Sequence, residues 1–292
     1  MKIIDIHTHG IGGFDTRTSD LNHLLKIADL HGERGTGEIV LSVYPATIAV
    51  MRQNMELIRQ AMEAQGALNG TITPDSQAAA RIIGVHLEGP FLNPMKAGAL
   101  NSITFLEPDE RRLHELIDGY EAIIRTITVA PELQGAKQLI RAIADRGLRV
   151  NMGHSDASYA EAEAGFHAGA TGIAHLFNAM SGFHHREPGI AGFGLMNKEV
   201  YVEIIGDLYH LHPETIRMVF ALKPADRIIL VSDSVRNTHA FLQPEVVSDT
   251  HGRLLGGGLT LAEASGRLKK IGLNEGTIMK SITENPERFI TL

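Results

Sequence analysis

Six residues of metal-ligating type stand at or just after the ends of short apolar segments that have the pattern of β-strands. They are His7, His9, Glu88, His154, His175 and Asp233. Alternate residues of a strand point to one face, so the two histidines of the His-x-His pair would face the same side. Imidazole and carboxylate groups together suit zinc or a neighbouring divalent transition metal. The pattern predicts one metal site assembled from most of the chain.

Taken singly, each of these residues also has a purely structural interpretation. The His-x-His pair could lie on the surface, and His154 and His175 could be core histidines with satisfied hydrogen bonds. Glu88 could accept hydrogen bonds from the turn that follows it, and Asp233 could cap the next segment. The joint placement favours the metal site, because the six residues recur at the same end of five of the eight predicted strands.

Composition excludes several classes of protein. The chain has 292 residues, 43% of them hydrophobic and 21% charged, which is typical of a globular protein with a sizeable core. A net charge of −7 argues against nucleic acid or an anionic membrane as partner. Without cysteine, any metal must be held by His, Asp and Glu. The start of the chain has no signal-peptide pattern, and no apolar run approaches the roughly 20 residues that span a bilayer, so we expect a cytoplasmic protein.

Apolar β-type segments alternate with helical patterns along the whole chain. The predicted strands are Ile3–His7, Ile39–Val43, Ile82–Leu87, Ile123–Val129, Leu148–Met152, Gly172–Ala174, Val200–Ile205 and Ile228–Val231. The predicted helices are Leu21–Glu33, Ile48–Gln65, Glu110–Leu116, Ala136–Arg146, Tyr159–Ala168, Pro213–Ala221, Leu261–Lys270 and Glu275–Thr283. Continuous apolar strands are typical of a parallel sheet that is covered on both faces.

Eight such units predict an α/β protein consisting of one (β/α)8 TIM barrel, a single domain over residues 1–292. In this fold the functional residues gather at the carboxyl ends of the strands, where all six candidates stand. An open doubly wound sheet is the alternative, but it brings distant strands together less readily. Two long connections, Gly89–Leu106 and Phe177–Asn197, are expected to be lids or binding loops, with disordered segments as the alternative.

Three further residues are candidates for contact with a substrate. His210 follows the seventh strand, where it could hydrogen-bond a carbonyl oxygen and stabilise developing negative charge. Lys96 and Arg186 lie on the two long connections, where either could pair with an anionic group. Solvated loop cations are the alternative, and His184 and His185 are expected to be solvent-exposed.

The motifs resemble those of the N-acetylglucosamine-6-phosphate deacetylase family of the amidohydrolase superfamily. The segments that carry the resemblance include HLEGPFLNPMKAG, GHSDA, HLFNAMSGFHHREPGIAG, GDLYH and VSDS, in the family's order. The stretch from His175 to Gly192 is the most specific, because its spacing matches as well as its residue types.

The resemblance implies a role for each candidate. Glu88, His154 and His175 would hold the main metal, and His7, His9 and Asp233 would join a bridging Glu88 around a second one. One or two divalent ions are thus implied, with zinc the first choice and Fe²⁺ or another transition metal as alternatives. Asp233 would be the general base and acid, and His210 would polarise the acetamide carbonyl. The substrate's phosphate would contact Asn178, the backbone amide of Ala179, and Arg186, the last across the interface of a homodimer.

The chain also departs from the family pattern. Leu100 stands where the family has a histidine that contacts the sugar, and the small-residue stretch after Asp233 is replaced by Ser234–Asn237. The family's small β-sandwich domain is expected to be absent. The function that the resemblance implies is deacetylation of N-acetylglucosamine 6-phosphate to glucosamine 6-phosphate and acetate. Alternatives are an amidohydrolase for another N-acyl sugar or a cyclic amide, and a non-catalytic metal-binding relative.

Overall fold

A computed structural model describes residues 2–68, 79–240 and 246–291. Its central feature is an eight-stranded parallel sheet whose neighbours follow the order of the chain. The strands are β1 (Ile4–Thr8), β2 (Glu38–Val43), β3 (Arg81–Leu87), β4 (Ile124–Val129), β5 (Arg149–Met152), β6 (Gly172–Ile173), β7 (Tyr201–Ile205) and β8 (Ile228–Val231). The predicted barrel is confirmed, and each strand lies within one residue of its predicted limits. That the chain is a single domain stays a prediction.

Helices follow the strands and cover the outside of the sheet. In the described part of the chain they are α1 (Leu21–Gly32), α2 (Ile48–Leu68), α3 (Glu110–Ile117), α4 (Ala136–Ala144), α5 (Tyr159–Ala168), α6 (Gly189–Met196), α7 (Pro213–Leu222), α8 (Leu261–Lys270), α9 (Glu275–Ile282) and α10 (Glu284–Ile290). Local signals set several of the helix starts. Ser158 and Glu161 form a reciprocal capping box at α5, and Pro213 occupies the first turn of α7. None of the described helices is long and apolar enough to cross a membrane.

The expected connection Phe177–Asn197 is only partly a loop, because α6 occupies its second half. Three of the eight residues of α6 are glycine, and one of them, Gly194, allows the helix to pack closely. A Cβ on Gly194 would lie 2.8 Å from the Cδ1 of Ile173 and 3.0 Å from the Cδ1 of Leu176. Close tertiary packing therefore outweighs the low helix propensity of glycine here.

The barrel closes between β1 and β8 just beyond the carboxyl end of β8. The backbone amide of Asp233 donates to the carbonyl of His7 at 2.9 Å, and the amide of His9 donates to the carbonyl of Ser234 at 2.8 Å. The hydroxyls of Thr8 and Ser234 are 2.6 Å apart. We call this junction of residues 7–10 with residues 232–234 the seam. Three of the candidate ligands belong to it, so closing the barrel also positions them.

A histidine of α1 supports the seam from outside. His31 is fully buried, and its Nε2 lies 3.1 Å from the hydroxyl of Thr8. Burial, with a smaller contribution from Arg34, lowers the pKa of His31 to about 3. The ring is therefore neutral in the folded protein throughout the physiological range.

His31 should make the protein sensitive to acid. In the unfolded chain it protonates near its ordinary pKa of about 6.5, whereas in the folded protein it resists protonation until about pH 3. Protonation thus favours the unfolded state, and stability falls as the pH drops from 6.5 towards 3. The His31→Gln variant cannot titrate. The free energy of unfolding of the native protein, relative to the variant, should fall by about 1.4 kcal/mol per pH unit below pH 6.

Urea unfolding at pH 8, 6, 5 and 4 measures this difference. The exposed His114 of α3 supplies the matched control, because His114→Gln should leave the pH dependence of stability as it is in the native protein. Parallel stability curves for the native protein and His31→Gln would show that His31 does not stay neutral on folding.

Candidate metal centre

The structure brings the six predicted ligand residues together at the carboxyl end of the barrel. His7 belongs to β1, and the others follow the ends of their strands by one or two residues: His9 after β1, Glu88 after β3, His154 after β5, His175 after β6 and Asp233 after β8. Five of the six residues are buried, and the side chain of Asp233 is 16% exposed. The site is thus closed below and opens towards solvent at Asp233.

Glu88 lies at the centre of the group. Its Oε1 is 3.3 Å from Nε2 of His7, 3.1 Å from Nε2 of His154 and 3.2 Å from Nε2 of His175. Its Oε2 is 3.0 Å from Nε2 of His9. Burial alone would raise the pKa of Glu88, but the surrounding imidazoles outweigh it and hold that pKa well below its ordinary value. The carboxylate is therefore ionised and able to bridge two ligand sets.

Hydrogen bonds to the far side of each ring fix which nitrogen faces the centre. Nδ1 of His154 lies 2.9 Å from the carbonyl of Lys96, and Nδ1 of His175 lies 3.2 Å from the carbonyl of Asn178. A carbonyl can only accept, so each Nδ1 carries the proton and donates it. Nε2 is then the nitrogen that faces Glu88, which is the arrangement of a metal-ligating histidine with its supporting partner.

The residues present fit a divalent cation. Atoms of His7, His9 and Glu88, and likewise of Glu88, His154 and His175, lie within 4.8 Å of one another. Nδ1 of His7 bonds Glu203. The other ring nitrogen, Nε2, is buried and has no hydrogen-bond partner among the described residues. Imidazole nitrogens that converge on a buried carboxylate are the donor set of a zinc-type site.

Backbone conformation aims the later ligands into the barrel. His154, His175 and Asp233 have φ values of +47°, +29° and +47°, in the left-handed region that non-glycine residues rarely adopt. Such conformations cost of order 1–3 kcal/mol each and cluster at functional sites. The chain therefore turns sharply where each of the three leaves its strand.

The carboxylate of Asp233 lies near both histidines of the His-x-His pair. Its Oδ1 lies 3.6 Å from Nε2 of His7 and 3.8 Å from Nε2 of His9. Its carbonyl accepts from the amide of Gly257 at 2.8 Å. A Cβ at Gly257 would lie 1.8 Å from the carbonyl oxygen of Ser232, so only glycine allows this contact. The carboxylate is thereby held at the edge of the site, where it meets the cavity.

A second layer of polar residues supports the ligands from within the barrel. Glu203 of β7 lies 3.0 Å from Nδ1 of His7 and accepts a hydrogen bond from the side-chain Nδ2 of Asn151 at 2.6 Å. The ring of His86 packs against that of His7 with centroids 4.3 Å apart, and the ring of Tyr44 stacks on His9 at 3.9 Å. Sequence reasoning missed these residues. Two signals were available: a glutamate inside the apolar strand Tyr201–Ile205, and the placement of His86 two residues before Glu88.

His210 is held by a carboxylate that sequence reasoning also missed. Its Nδ1 lies 2.8 Å from Oδ2 of Asp207, while Oδ1 of Asp207 accepts from the backbone amide of His210 at 3.0 Å. Although burial alone would raise the pKa of Asp207, its bonds to His210 hold that pKa below the ordinary value. The carboxylate fixes the ring so that Nε2 is the nitrogen left to meet a ligand.

A cavity of about 480 Å³ opens above the ligands. Its lining includes Glu88, His154, His175, Asp233, His210, Asn178, Ala179 and Leu100. Gly98 approaches the site closely, since a Cβ there would lie 3.1 Å from the Cβ of Ala179. The volume falls within the roughly 300–1,000 Å³ of small-molecule sites.

Two of the predicted substrate-binding residues do not line this cavity. Lys96 pairs with Asp156 at 3.0 Å. Arg186 is exposed, and its guanidinium lies 2.9 Å from Nε2 of His185. As expected, His184 and His185 are exposed. A contact between Arg186 and a substrate would therefore need the loop to move or a second subunit to present it.

The curated proteins that resemble this chain are named as deacetylases of amino-sugar phosphates. No family model matches the chain. An N-acetylgalactosamine-6-phosphate deacetylase of Escherichia coli O157:H7 is 32% identical over 80% of the chain, and an N-acetylglucosamine-6-phosphate deacetylase of Bacillus subtilis is 34% identical over 80% of it. The chain covers 59% and 57% of the lengths of these two proteins.

Solved structures agree in fold over nearly the whole chain. A mutant N-acetyl-D-glucosamine-6-phosphate deacetylase of Mycobacterium smegmatis, in complex with N-acetyl-D-glucosamine-6-phosphate, has a TM-score of 0.87 and 26% identity, covering 99% of this chain and 77% of that one. The N-acetylglucosamine-6-phosphate deacetylase of Thermotoga maritima has a TM-score of 0.81 and 27% identity with the same coverage of both chains. In sequence and in fold, the chain is thus a relative of the N-acetylglucosamine-6-phosphate deacetylases, as the resemblance of its motifs predicted.

Proposed function

We propose that this protein is a metal-dependent hydrolase that converts N-acetylglucosamine 6-phosphate to glucosamine 6-phosphate and acetate. The observation that carries the proposal is the convergence of four imidazole Nε2 atoms on Glu88, with Asp233 beside them at the floor of a cavity. The names of the related proteins supply the substrate class.

The ligand sets overlap at Glu88, which favours two ions. Glu88, His154 and His175 would hold the main ion, and His7, His9 and Asp233 would complete the second with Glu88 as the bridge. Zinc suits ligands that are only nitrogen and oxygen, with Fe²⁺ as the alternative. When bound, such an ion activates water as a nucleophile and polarises the carbonyl.

Asp233 and His210 would carry out the proton transfer and the charge stabilisation. Asp233 accepts a proton from the attacking water and then delivers it to the leaving amine. His210, oriented by Asp207, hydrogen-bonds the acetyl oxygen as negative charge develops on it. Both residues line the cavity, so a substrate amide between them could contact both.

The finer features of the substrate site are part of the proposal. Asn178 and Ala179 line the cavity and would contact the phosphate, while Arg186 would reach it from the second subunit of a homodimer. Leu100 also lines the cavity, where it presents an apolar surface to the sugar. The cytoplasmic location expected from the sequence stays a prediction.

A panel of N-acetylated sugars tests the function. The purified protein, supplied with Zn²⁺ or Fe²⁺, should release acetate from N-acetylglucosamine 6-phosphate with a higher kcat/KM than from N-acetylglucosamine. N-acetylgalactosamine 6-phosphate belongs in the panel, because one relative is named for it. Charge-assisted hydrogen bonds contribute about 1.5–3 kcal/mol, so Arg186→Ala should lower kcat/KM for the phosphorylated sugar at least about tenfold.

The unphosphorylated sugar is the control for Arg186, since its kcat/KM should hardly change. Equal losses on both sugars would mean that Arg186 supports the loop or an interface. A native enzyme without preference for phosphorylated sugars would favour a hydrolase of another N-acyl sugar or of a cyclic amide. Tight metal binding without hydrolysis of any panel member would favour the non-catalytic relative.

A further inference from the structure

We propose that Arg236 binds the phosphate of the substrate from within the same chain. Arg236 lies three residues after Asp233, in the stretch where this chain departs from the expected small residues. Its side chain lines the same cavity as the candidate metal ligands. The inference rests on the proposed function for its substrate, but it concerns a residue that the sequence pattern did not mark.

Arg236 differs from the other two arginines that line the cavity, because each of those two pairs with an acidic residue. The guanidinium of Arg17 forms two hydrogen bonds with Asp15, at 2.9 and 2.6 Å, and that of Arg253 is 3.1 Å from Asp249. Arg236 is exposed, and its guanidinium has no acidic or hydrogen-bonding partner among the described residues. A guanidinium without a partner keeps all five donors free for a phosphate.

Hydrogen bonds hold the backbone around Arg236 in place, whereas its guanidinium has no such partner among the described residues. The carbonyl of Arg236 accepts from the amide of Gly13 at 2.8 Å. On the other side, the hydroxyl of Thr238 accepts from the amide of Val235 at 2.9 Å and donates to the carbonyl of Gly257 at 2.6 Å. These bonds tie residues 235–238 to Gly13 and Gly257. The guanidinium therefore starts from a defined point at the mouth of the cavity, close in sequence to the catalytic carboxylate.

Because the protein as a whole is negatively charged, Arg236 would supply a local attraction for an anionic substrate. The net charge of −7 repels an anionic substrate, and the cavity floor carries the carboxylates of Glu88 and Asp233. A free guanidinium at the mouth supplies local attraction that the bulk charge does not. It also adds geometry, because a planar guanidinium can bind two phosphate oxygens at once.

Ligand binding to the metal-loaded protein tests the proposal without relying on turnover. Calorimetry would measure the Kd of glucosamine 6-phosphate and of glucosamine for the native protein, Arg236→Ala and Arg236→Lys. Arg236→Ala should raise the Kd of the phosphorylated sugar at least about tenfold and leave that of glucosamine within twofold. Arg236→Lys should give an intermediate Kd, since lysine keeps the charge and loses the bidentate geometry.

The exposed Arg111 of α3 is the matched control, and Arg111→Ala should bind both sugars as the native protein does. A Kd for glucosamine 6-phosphate within twofold of the native value in Arg236→Ala would overturn the proposal. So would an equal loss for both sugars, or no measurable binding of glucosamine 6-phosphate by the native protein. If the native protein hydrolyses no N-acetyl sugar but Arg236→Ala still loses affinity selectively, the proposed function fails and the role of Arg236 stands.

Discussion

Replacing Asp233 by asparagine is expected to lower kcat at least about a hundredfold, the low end for a positioned acid–base group. The amide keeps the shape of the side chain but cannot take a proton from the attacking water. The contacts that close the seam should survive, because Asp233 makes them through its backbone amide and carbonyl. Steady-state kinetics with N-acetylglucosamine 6-phosphate, together with its Kd measured on the variant, separates lost chemistry from lost binding.

The opposite end of the same strand offers a matched control for this experiment. Asp226 precedes β8 and pairs with Arg227, far from the cavity lining, so Asp226→Asn should keep native kcat. Near-native kcat in Asp233→Asn would make Asp233 a structural residue and require another base. Loss of substrate affinity in proportion to kcat would instead show that the carboxylate mainly organises the site.

Replacing Glu88 by glutamine should remove both metal ions and at least about 99% of the activity. Glu88 is the carboxylate shared by the two ligand sets, and the amide carries no charge to attract a cation. Native protein should contain between one and two equivalents of divalent metal after gel filtration, and His154→Ala should lose at least the main ion. Elemental analysis of the three proteins gives the stoichiometry directly.

Thermal unfolding provides a second readout of the Glu88 variant. A bound ion stabilises the folded state by mass action, so a chelator should lower the Tm of the native protein and leave that of Glu88→Gln unchanged. Glu115 of α3 is exposed, and Glu115→Gln should respond to the chelator as the native protein does. Full metal content and full activity in Glu88→Gln would refute the metal assignment.

The barrel was predictable because its signals are local and repeated. Each strand is a short apolar run, and the order of runs and helical patterns leaves few topologies to choose from. Helix α6 was not predicted because three of its eight residues are glycine, and the close contact that Gly194 allows with Ile173 forms only on folding.

The candidate ligands were predictable by residue type and by their place at the strand ends. Their supporting residues were harder to predict. Glu203 was marked only by being a carboxylate inside an apolar strand, and Asp207 reaches His210 through a turn. The positive φ values of His154, His175 and Asp233 left no signal, because none of the three is a glycine. The failure of Arg186 to line the cavity likewise depends on the path of an exposed loop.

The seam also determines how long the site stays incomplete while the chain is being synthesised. The site needs residues from both margins of the sheet, and more than 200 residues separate His7 from Asp233 along the chain. At roughly 5–20 residues per second, the ribosome adds the last ligand roughly 10 to 45 s after the first. During this interval β1 can pair with β2 on one side, while its other edge lacks β8, the strand beside which His7 and His9 meet Asp233. A chaperone that shields the edge of β1 would therefore protect the nascent chain during the same period in which its metal site is incomplete.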